Sequence, residues 1–441
     1  MLDRVVNFWI NLRASLWFVP GLMLGASIVF ALALIETDSR LGYELQKAFP
    51  RIFGLGTDGS RGMLTAISGS MLTVAALTFS LTLAAVTQVS SQFTPRIYRN
   101  FLRDRANQFV LGYFVSVFSY CLIVLRTIRG GDEFTFVPSL SVVTGLLLAL
   151  GGVIVLIFFI HHIAVSLQIT TIINNIVDET KESIETMFPQ EIGETADVPE
   201  KLVMMQADEK HEWTTVRSLS VGYVQTIRAD SMLDFAEDNN VVLRMERSIG
   251  QFVGSGADLI SVAADMEDDE SVFELDDDTI EELNGCFGIS RYRTVEQDVG
   301  FGVRQIVDIA LKALSPGVND TTTAITCIDF LGEIIGELAR RKFPFKVRSR
   351  DNVARVIASA PDFKDFVETA FDQILISGKG NHAIFERMIE SFAFIASCTD
   401  DESRLQTLRN HVELLKKYAE QTLDTEYEKN KIADRLKKRR F

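Results

Sequence analysis

The sequence predicts an α-helical integral membrane protein with four transmembrane helices and a cytosolic α+β module, in which a small β-barrel-like subdomain precedes an antiparallel helical bundle. Three observations predict it. Four stretches lack Asp, Glu, Lys and Arg for at least the roughly 20 residues that a bilayer crossing needs. The charge is divided along the chain: residues 1–169 carry a net +4 and residues 170–441 a net −19, within a total of −15. Past the apolar region the pattern turns first to short runs rich in Val and Ile, then to helical periodicity. A hydrophobic fraction of 47% excludes disorder as the dominant state. A module at −19 is a poor match for the phosphates of nucleic acid, so no nucleic-acid partner is expected.

The membrane domain covers 1–168, with spans at about 16–35, 63–90, 106–126 and 139–165. The first contains Pro20 and is followed by three more, which argues against a cleaved signal peptide. Orientation follows from Lys and Arg in short loops. The connection 96–105 holds Arg96, Arg99, Arg103 and Arg105 against Asp104 alone, which places it on the cytoplasmic side together with both termini. The loop 36–62 dissents with Arg40, Lys47, Arg51 and Arg61, although Glu36, Asp38, Glu44 and Asp58 accompany them. The C-terminal module is therefore expected on the cytoplasmic side of the membrane.

The second span differs in kind. Thr65, Gly69, Thr73, Ala76, Ser80, Ala84, Thr87 and Ser91 recur at steps of three and four, so small or hydroxyl side chains form one helical stripe. Such a stripe admits two readings: close packing of helices, or the wall of a polar path through an oligomer. The fourth uncharged run, 134–177, is too long for one crossing. It is read as one long helix whose extension over 169–188 places Ile169, Ile172, Ile173, Ile176, Ile184 and Met187 on one face. At its exit sit His161 and His162, with His162, Ser166, Thr170 and Asn174 at i, i+4 spacing. Together with Arg96 and Arg99, His161, His162 and Ser166 are the inner-interface candidates. A histidine there either titrates, its ordinary pKa being about 6.5, or serves as a hydrogen-bonded interfacial imidazole.

An acidic linker over 189–213 leads to a β subdomain over 214–264, with a short helix at 230–238 and Gly222, Gly250, Gly254 and Gly256 at its turns. Its order looks like a barrel-sandwich hybrid of the biotinyl–lipoyl type, without a lysine at the tip to carry a swinging arm. Residues 265–441 read as the bundle. Its acidic run 265–278 lacks the ligand alternation and central glycine of a calcium loop. Thr294 and Gln297 suggest a capping box for a helix over about 295–314, and further helices fit 321–341, 351–358, 362–377, 383–398 and 401–438. Between the first two lies the turn Ser315, Pro316, Gly317, Val318, Asn319, Asp320, where Asn319 or Asp320 can cap the next helix. Cys121, Cys286, Cys327 and Cys398 are far apart, without zinc or disulfide spacing, and neither metal nor cofactor is expected.

Three separated segments resemble a bacterial family of predicted membrane proteins catalogued as a domain of unknown function: 88–129, 159–168 (FIHHIAVSLQ) and 293–324 (RTVEQDVGFGVRQIVDIALKALSPGVNDTTTA). The motif residues fall at Ser90, Ser91, Gln92, Phe93, Pro95 and Arg96, at His161 and His162, and at Asp298, Gly302, Arg304, Asp308, Ser315, Pro316, Gly317, Asn319 and Asp320. The resemblance covers nearly the whole chain, least closely at 190–213. It implies a multi-pass topology in the bacterial cytoplasmic (inner) membrane and brings no activity with it. The favoured function is therefore a homo-oligomeric channel or permeation protein, with span two lining the path and the cytosolic module regulating it. Its partners are the lipid bilayer, further copies of the chain, and an ion or small solute as cargo. The alternative is a non-conducting scaffold or sensor that docks a cytosolic partner. No catalytic residue is assigned, because no Ser–His–Asp, zinc or phosphate-loop pattern is present in the sequence.

Overall fold

The structure is a computed structural model that describes residues 17–48, 55–92, 104–130, 136–188, 213–264, 275–344, 346–350 and 353–439. The chain divides into two units, Met1–Thr171 and Ile172–Phe441.

In the first unit, α1 (Phe18–Ala48), α2 (Thr57–Gln92), α3 (Arg105–Thr127) and α4 (Ser139–Ser166) each contain a stretch long and apolar enough to cross a membrane. Helix α3 packs against the other three, burying Val110, Phe114, Val117, Tyr120, Cys121 and Val124. Gly112 lets α1 approach it, since a Cβ there would lie 2.7 Å from Met23 Sδ and 3.0 Å from the Pro20 Cα. Helix α1 runs on past the apolar span, so Asp38 is helical rather than part of a loop. Its carboxylate is only 4% exposed and accepts from Leu140 N–H (2.9 Å), Ser141 N–H (2.8 Å) and Ser141 Oγ (2.6 Å). The N-cap residue of α4 is Pro138, which has no capping side chain. Asp38 thus supplies from α1 the acceptor that α4 cannot supply for itself.

The reading of α4 as one continuous helix to residue 188 needs correction. Helix α4 closes at Ser166, with Leu167 N–H donating to Ile163 O and Gln168 N–H to Val165 O, and a separate α5 covers Ile169–Met187. No Pro or Gly marks that break, so the apolar pattern runs through it unbroken. Helix α5 buries Ile172, Ile173, Ile176, Val177, Thr180, Ser183 and Ile184, the face its isoleucine spacing predicts.

The second unit contains β1 (Thr214–Arg217), β2 (Gly222–Ile227), α6 (Ala229–Asp238), β3 (Val241–Met245), β4 (Phe252–Val253), β5 (Asp258–Ala264), α7 (Asp277–Gly285) and β6 (Phe287–Ser290). These strands do not close into a barrel. Together with β7 (Val347–Arg350) and β8 (Val353–Ile357) they form a five-stranded sheet of order β1-β5-β3-β8-β7 and a three-stranded sheet of order β4-β2-β6. One apolar cluster draws on both sheets, including Val216, Val224, Leu243, Ile260 and Val356, with Met232 and Phe235 of α6. The strands β7 and β8 overturn the helix expected at 351–358. The β-branched run VARVI pairs with β7 and, in parallel, with β3.

The helical part holds α8 (Val299–Ala313), α9 (Thr321–Arg340), α10 (Phe363–Ser377), α11 (His382–Ala396), α12 (Glu402–Thr422) and α13 (Glu426–Lys438), around a core that includes Phe371, Phe385 and Phe392. Helix α8 starts at Asp298, not at Thr294: the Asp298 carboxylate accepts from Phe301 N–H at 2.9 Å, and Thr294 Oγ1 is buried without a partner among the described residues. The long helix read at 401–438 is two, divided at Thr425, which forms a capping box with Glu428. The first ten residues of the acidic run, 265–274, and all but Trp213 of the linker lie outside the described residues. Asp276 caps α7 by accepting from Thr279 N–H at 2.8 Å.

Candidate functional site

Helix α2 buries Leu64, Ile67, Ser68, Met71, Ala75, Thr78 and Ala85 against its own unit. At about 100° per residue the small-residue stripe falls on the opposite side. Thr65, Gly69, Thr73, Ala76, Ser80, Ala84 and Thr87 are all exposed, so among the described residues the stripe packs against no helix. Larger exposed residues border it, among them Leu72 and Phe79 on one flank and Leu77 and Leu81 on the other. Thr73 Oγ1 donates to Gly69 O and Thr87 Oγ1 to Leu83 O, each at 2.9 Å, which leaves the hydroxyl oxygens as outward acceptors. The side chain of Ser91 lies outside the described residues, as do Arg96 and Arg99.

At one end of the same unit, His162 Nε2 lies 2.5 Å from Asp104 Oδ2, and Ser166 Oγ lies 3.5 Å from the same nitrogen. Phe158 stacks on the imidazole at 5.7 Å. The other carboxylate oxygen of Asp104 accepts from Ala106 N–H at 2.8 Å and so caps α3. Ser, His and Asp meet here, yet both oxygen partners use Nε2. A hydrolase triad needs the acid on one ring nitrogen and the nucleophile on the other, so the arrangement fastens two helices and does not activate Ser166. His161, on the adjacent helix position, is exposed.

The turn after α8 is occupied by capping. Ser315 Oγ donates to Lys312 O at 2.6 Å, Asn319 adopts φ +48°, and Asp320 N–H donates to Ala313 O at 2.8 Å. Asp320 then accepts from Thr323 N–H at 3.0 Å and from Thr323 Oγ1 at 2.6 Å. The Thr323 hydroxyl and backbone hold its carboxyl below the usual carboxylate range. Pro316, Gly317 and Asn319 are exposed, and Asp308 is separate from the turn, paired with Arg304 at 2.9 Å.

The second unit also holds a feature that no sequence motif singles out. A cavity of about 620 Å³ is walled by the end of α5, the start of α8, β7 and α10. Three arginines line it: Arg293, Arg304 and Arg348. Arg293 holds Asp298 in a two-point bridge of 2.8 and 2.9 Å. Gly250, at φ +82°, passes that bridge so closely that a Cβ would lie 2.5 Å from Asp298 Oδ2 and 2.6 Å from Arg293 Nη2. The motif residues Asp298 and Arg304 mark this wall in the sequence. Arg348 carries no such signal, because it sits in a strand that the pattern does not reveal.

Four apolar helices of spanning length followed by an α/β module define a multi-pass membrane protein. The chain belongs to the family described as "Predicted membrane protein (DUF2254)", whose model matches residues 13–393. It is 28% identical over 426 residues to uncharacterized proteins of Mycobacterium tuberculosis (strain CDC 1551 / Oshkosh) and Mycobacterium bovis, covering 95% of this chain and 79% of each relative. No solved structure matches it significantly.

Proposed function

We propose that the protein is a homo-oligomeric channel of the bacterial inner membrane, with α2 lining the path and the C-terminal module regulating it from the cytoplasm. The observation that carries this reading is the exposed stripe of α2, seven small or hydroxyl positions opposite the face packed in the chain. In lipid, an unpacked stripe of this kind suits close contact with another copy. Hydroxyl oxygens whose protons are committed to their own backbone present lone pairs outward, which favours water or a cation over an anion. The orientation rests on the four arginines of 96–105.

Flux of cations and anions through proteoliposomes tests the reading, with the Ser80→Leu variant beside the unmutated chain. Loss of flux with the oligomer intact supports a path dewetted by the leucine. Absence of flux in the unmutated protein sinks it. A cysteine at position 99 should resist a membrane-impermeant label in whole cells until they are permeabilised; labelling from outside reverses the orientation. The non-conducting sensor is favoured by a different observation, the arginine-lined cavity of the C-terminal module.

A further inference from the structure

We propose that the cavity of the C-terminal module binds a phosphate monoester with an aromatic body, about the size of a nucleoside monophosphate, through Arg348 and the neighbouring Phe343. At about 620 Å³ the cavity falls within the roughly 300–1,000 Å³ of small-molecule sites. Its electrostatics select the class of ligand.

Two carboxylates line the wall, and both are already engaged. Asp298 is held by Arg293 and caps α8. Asp365 accepts from Asp362 N–H at 2.8 Å in the capping box of α10. Arg293 is answered by Asp298 and Arg304 by Asp308. Arg348 has neither a carboxylate nor a hydrogen-bond partner among the described residues, although burial pushes its guanidinium below the usual arginine range. An arginine stays charged in proteins and carries five N–H donors in a planar fork. Withdrawing that charge from water without an acceptor is costly, and a phosphate supplies the acceptor in two-point geometry.

The uncharged polar groups point the same way. Gln297 commits its carbonyl oxygen to Ile227 N–H at 3.0 Å, and Gln251 commits its own to Ser248 N–H at 3.1 Å. Each amide therefore keeps its NH2 as a donor. The wall carries three arginines against two carboxylates, so it is locally basic within a module that is net −19 over residues 170–441, and both its carboxylates and both its amide oxygens are engaged. That composition rejects cations and suits a ligand that only accepts. The apolar part of the wall is aromatic: Phe343 lies 6.0 Å from Phe366 and 4.8 Å from Phe188, ring centre to ring centre. Phe188 and Phe366 are buried, so the half-buried Phe343 ring is the one that can meet a planar ligand.

The experiment titrates the detergent-solubilised full chain by calorimetry with phenyl phosphate and with AMP, using phenol, adenosine and inorganic phosphate as partial ligands. Phenyl phosphate and AMP should bind and raise the melting temperature, whereas phenol and adenosine should do neither. Arg348→Gln should weaken binding about tenfold or more, the scale of a hydrogen-bonded charge. Arg348→Lys, which keeps the charge and loses the fork, should fall between. Arg350→Gln removes an exposed arginine bridged to Asp234 and Glu237 outside the cavity, and should change nothing. Melts without ligand identify a variant that fails to fold, in which case Arg348→Lys is the reading variant. Absence of binding by both monoesters overturns the proposal, as does undiminished binding by a folded Arg348→Gln chain. Inorganic phosphate binding as tightly as phenyl phosphate overturns the aromatic half of it. Flux is read separately, so this site and the α2 path can fail independently.

Discussion

Asp104 Oδ2 stands 2.5 Å from His162 Nε2, so the carboxylate that caps the third span also fastens the last turns of the fourth. Both side chains are about one-quarter exposed, which keeps solvent screening partial.

Removing Asp104 should therefore cost more than a cap. Asp104→Ala loses the acceptor for Ala106 N–H, about 1 kcal/mol, and the contact with His162 as well. Asp104→Asn keeps a capping oxygen and should lose less. In thermal melts of the detergent-solubilised chain, the Asp104→Ala and His162→Phe changes should couple by at least about 0.5 kcal/mol in a double-mutant cycle. Strictly additive effects would show that the two side chains only neighbour each other.

Helix α2 offers a second test, because its two faces differ in what they touch. Thr73 is exposed on the stripe, whereas Thr78 is 2% exposed and donates to Ala75 O at 2.9 Å. If the stripe meets another copy, Thr73→Cys should give cross-linked dimers in membranes under mild oxidation. Thr78→Cys should give none. Equal yields from the two positions would remove the stripe from the interface.

Gly302 is required by packing, not by backbone conformation. A Cβ at this position would overlap the hydroxyl of Thr180, which is fully buried on α5 and donates to Ile176 O at 2.6 Å. Gly302→Ala should destabilise by about 1–3 kcal/mol through overpacking. Adding Thr180→Ala should recover part of that loss. A double variant no more stable than Gly302→Ala alone would mean the strain lies elsewhere.

What the sequence makes legible here is periodicity and punctuation. The isoleucines of α5, the four uncharged runs and the Asp320 start of α9 are local patterns, and the structure keeps each of them. Contacts between distant segments are not local. Asp104 and His162 lie 58 residues apart, and nothing in the arginine-rich loop distinguishes Asp104 from a solvated charge. Asp38 reads as one more charge after the first span until α4 places its unpaired N–H groups against it. Arg348 is hidden because β7 and β8 are short: β7 pairs with β8, and β8 joins the sheet only through β3, where Leu243 meets Val356 from 113 residues earlier. The β subdomain shows its strands in the sequence but not their sheet order, since glycine spacing fixes turns and leaves pairing to partners from beyond residue 264, so the expected barrel opens into two sheets.

The turn at Asp320 separates a cap from a charge. At neutral pH Asp320→Ala should lower stability by about 1 kcal/mol, since alanine leaves Thr323 N–H without its acceptor. Asp320→Asn should lose little, because asparagine caps nearly as well. The acid dependence follows from the depressed carboxyl: its folded pKa lies below the unfolded value of about 3.9, so its contribution is complete above that value and fades as pH falls through the folded one. The gap in melting temperature between the unmutated chain and Asp320→Ala should therefore hold from neutrality down to about pH 5 and narrow below about pH 4. The gap between Asp320→Asn and Asp320→Ala should not narrow in that window, because neither residue titrates. Melts of the solubilised chain across this range decide it. An Asp320→Ala chain that melts with the unmutated protein at pH 7 would remove the capping role and leave the exposed turn without a structural reason for its carboxylate.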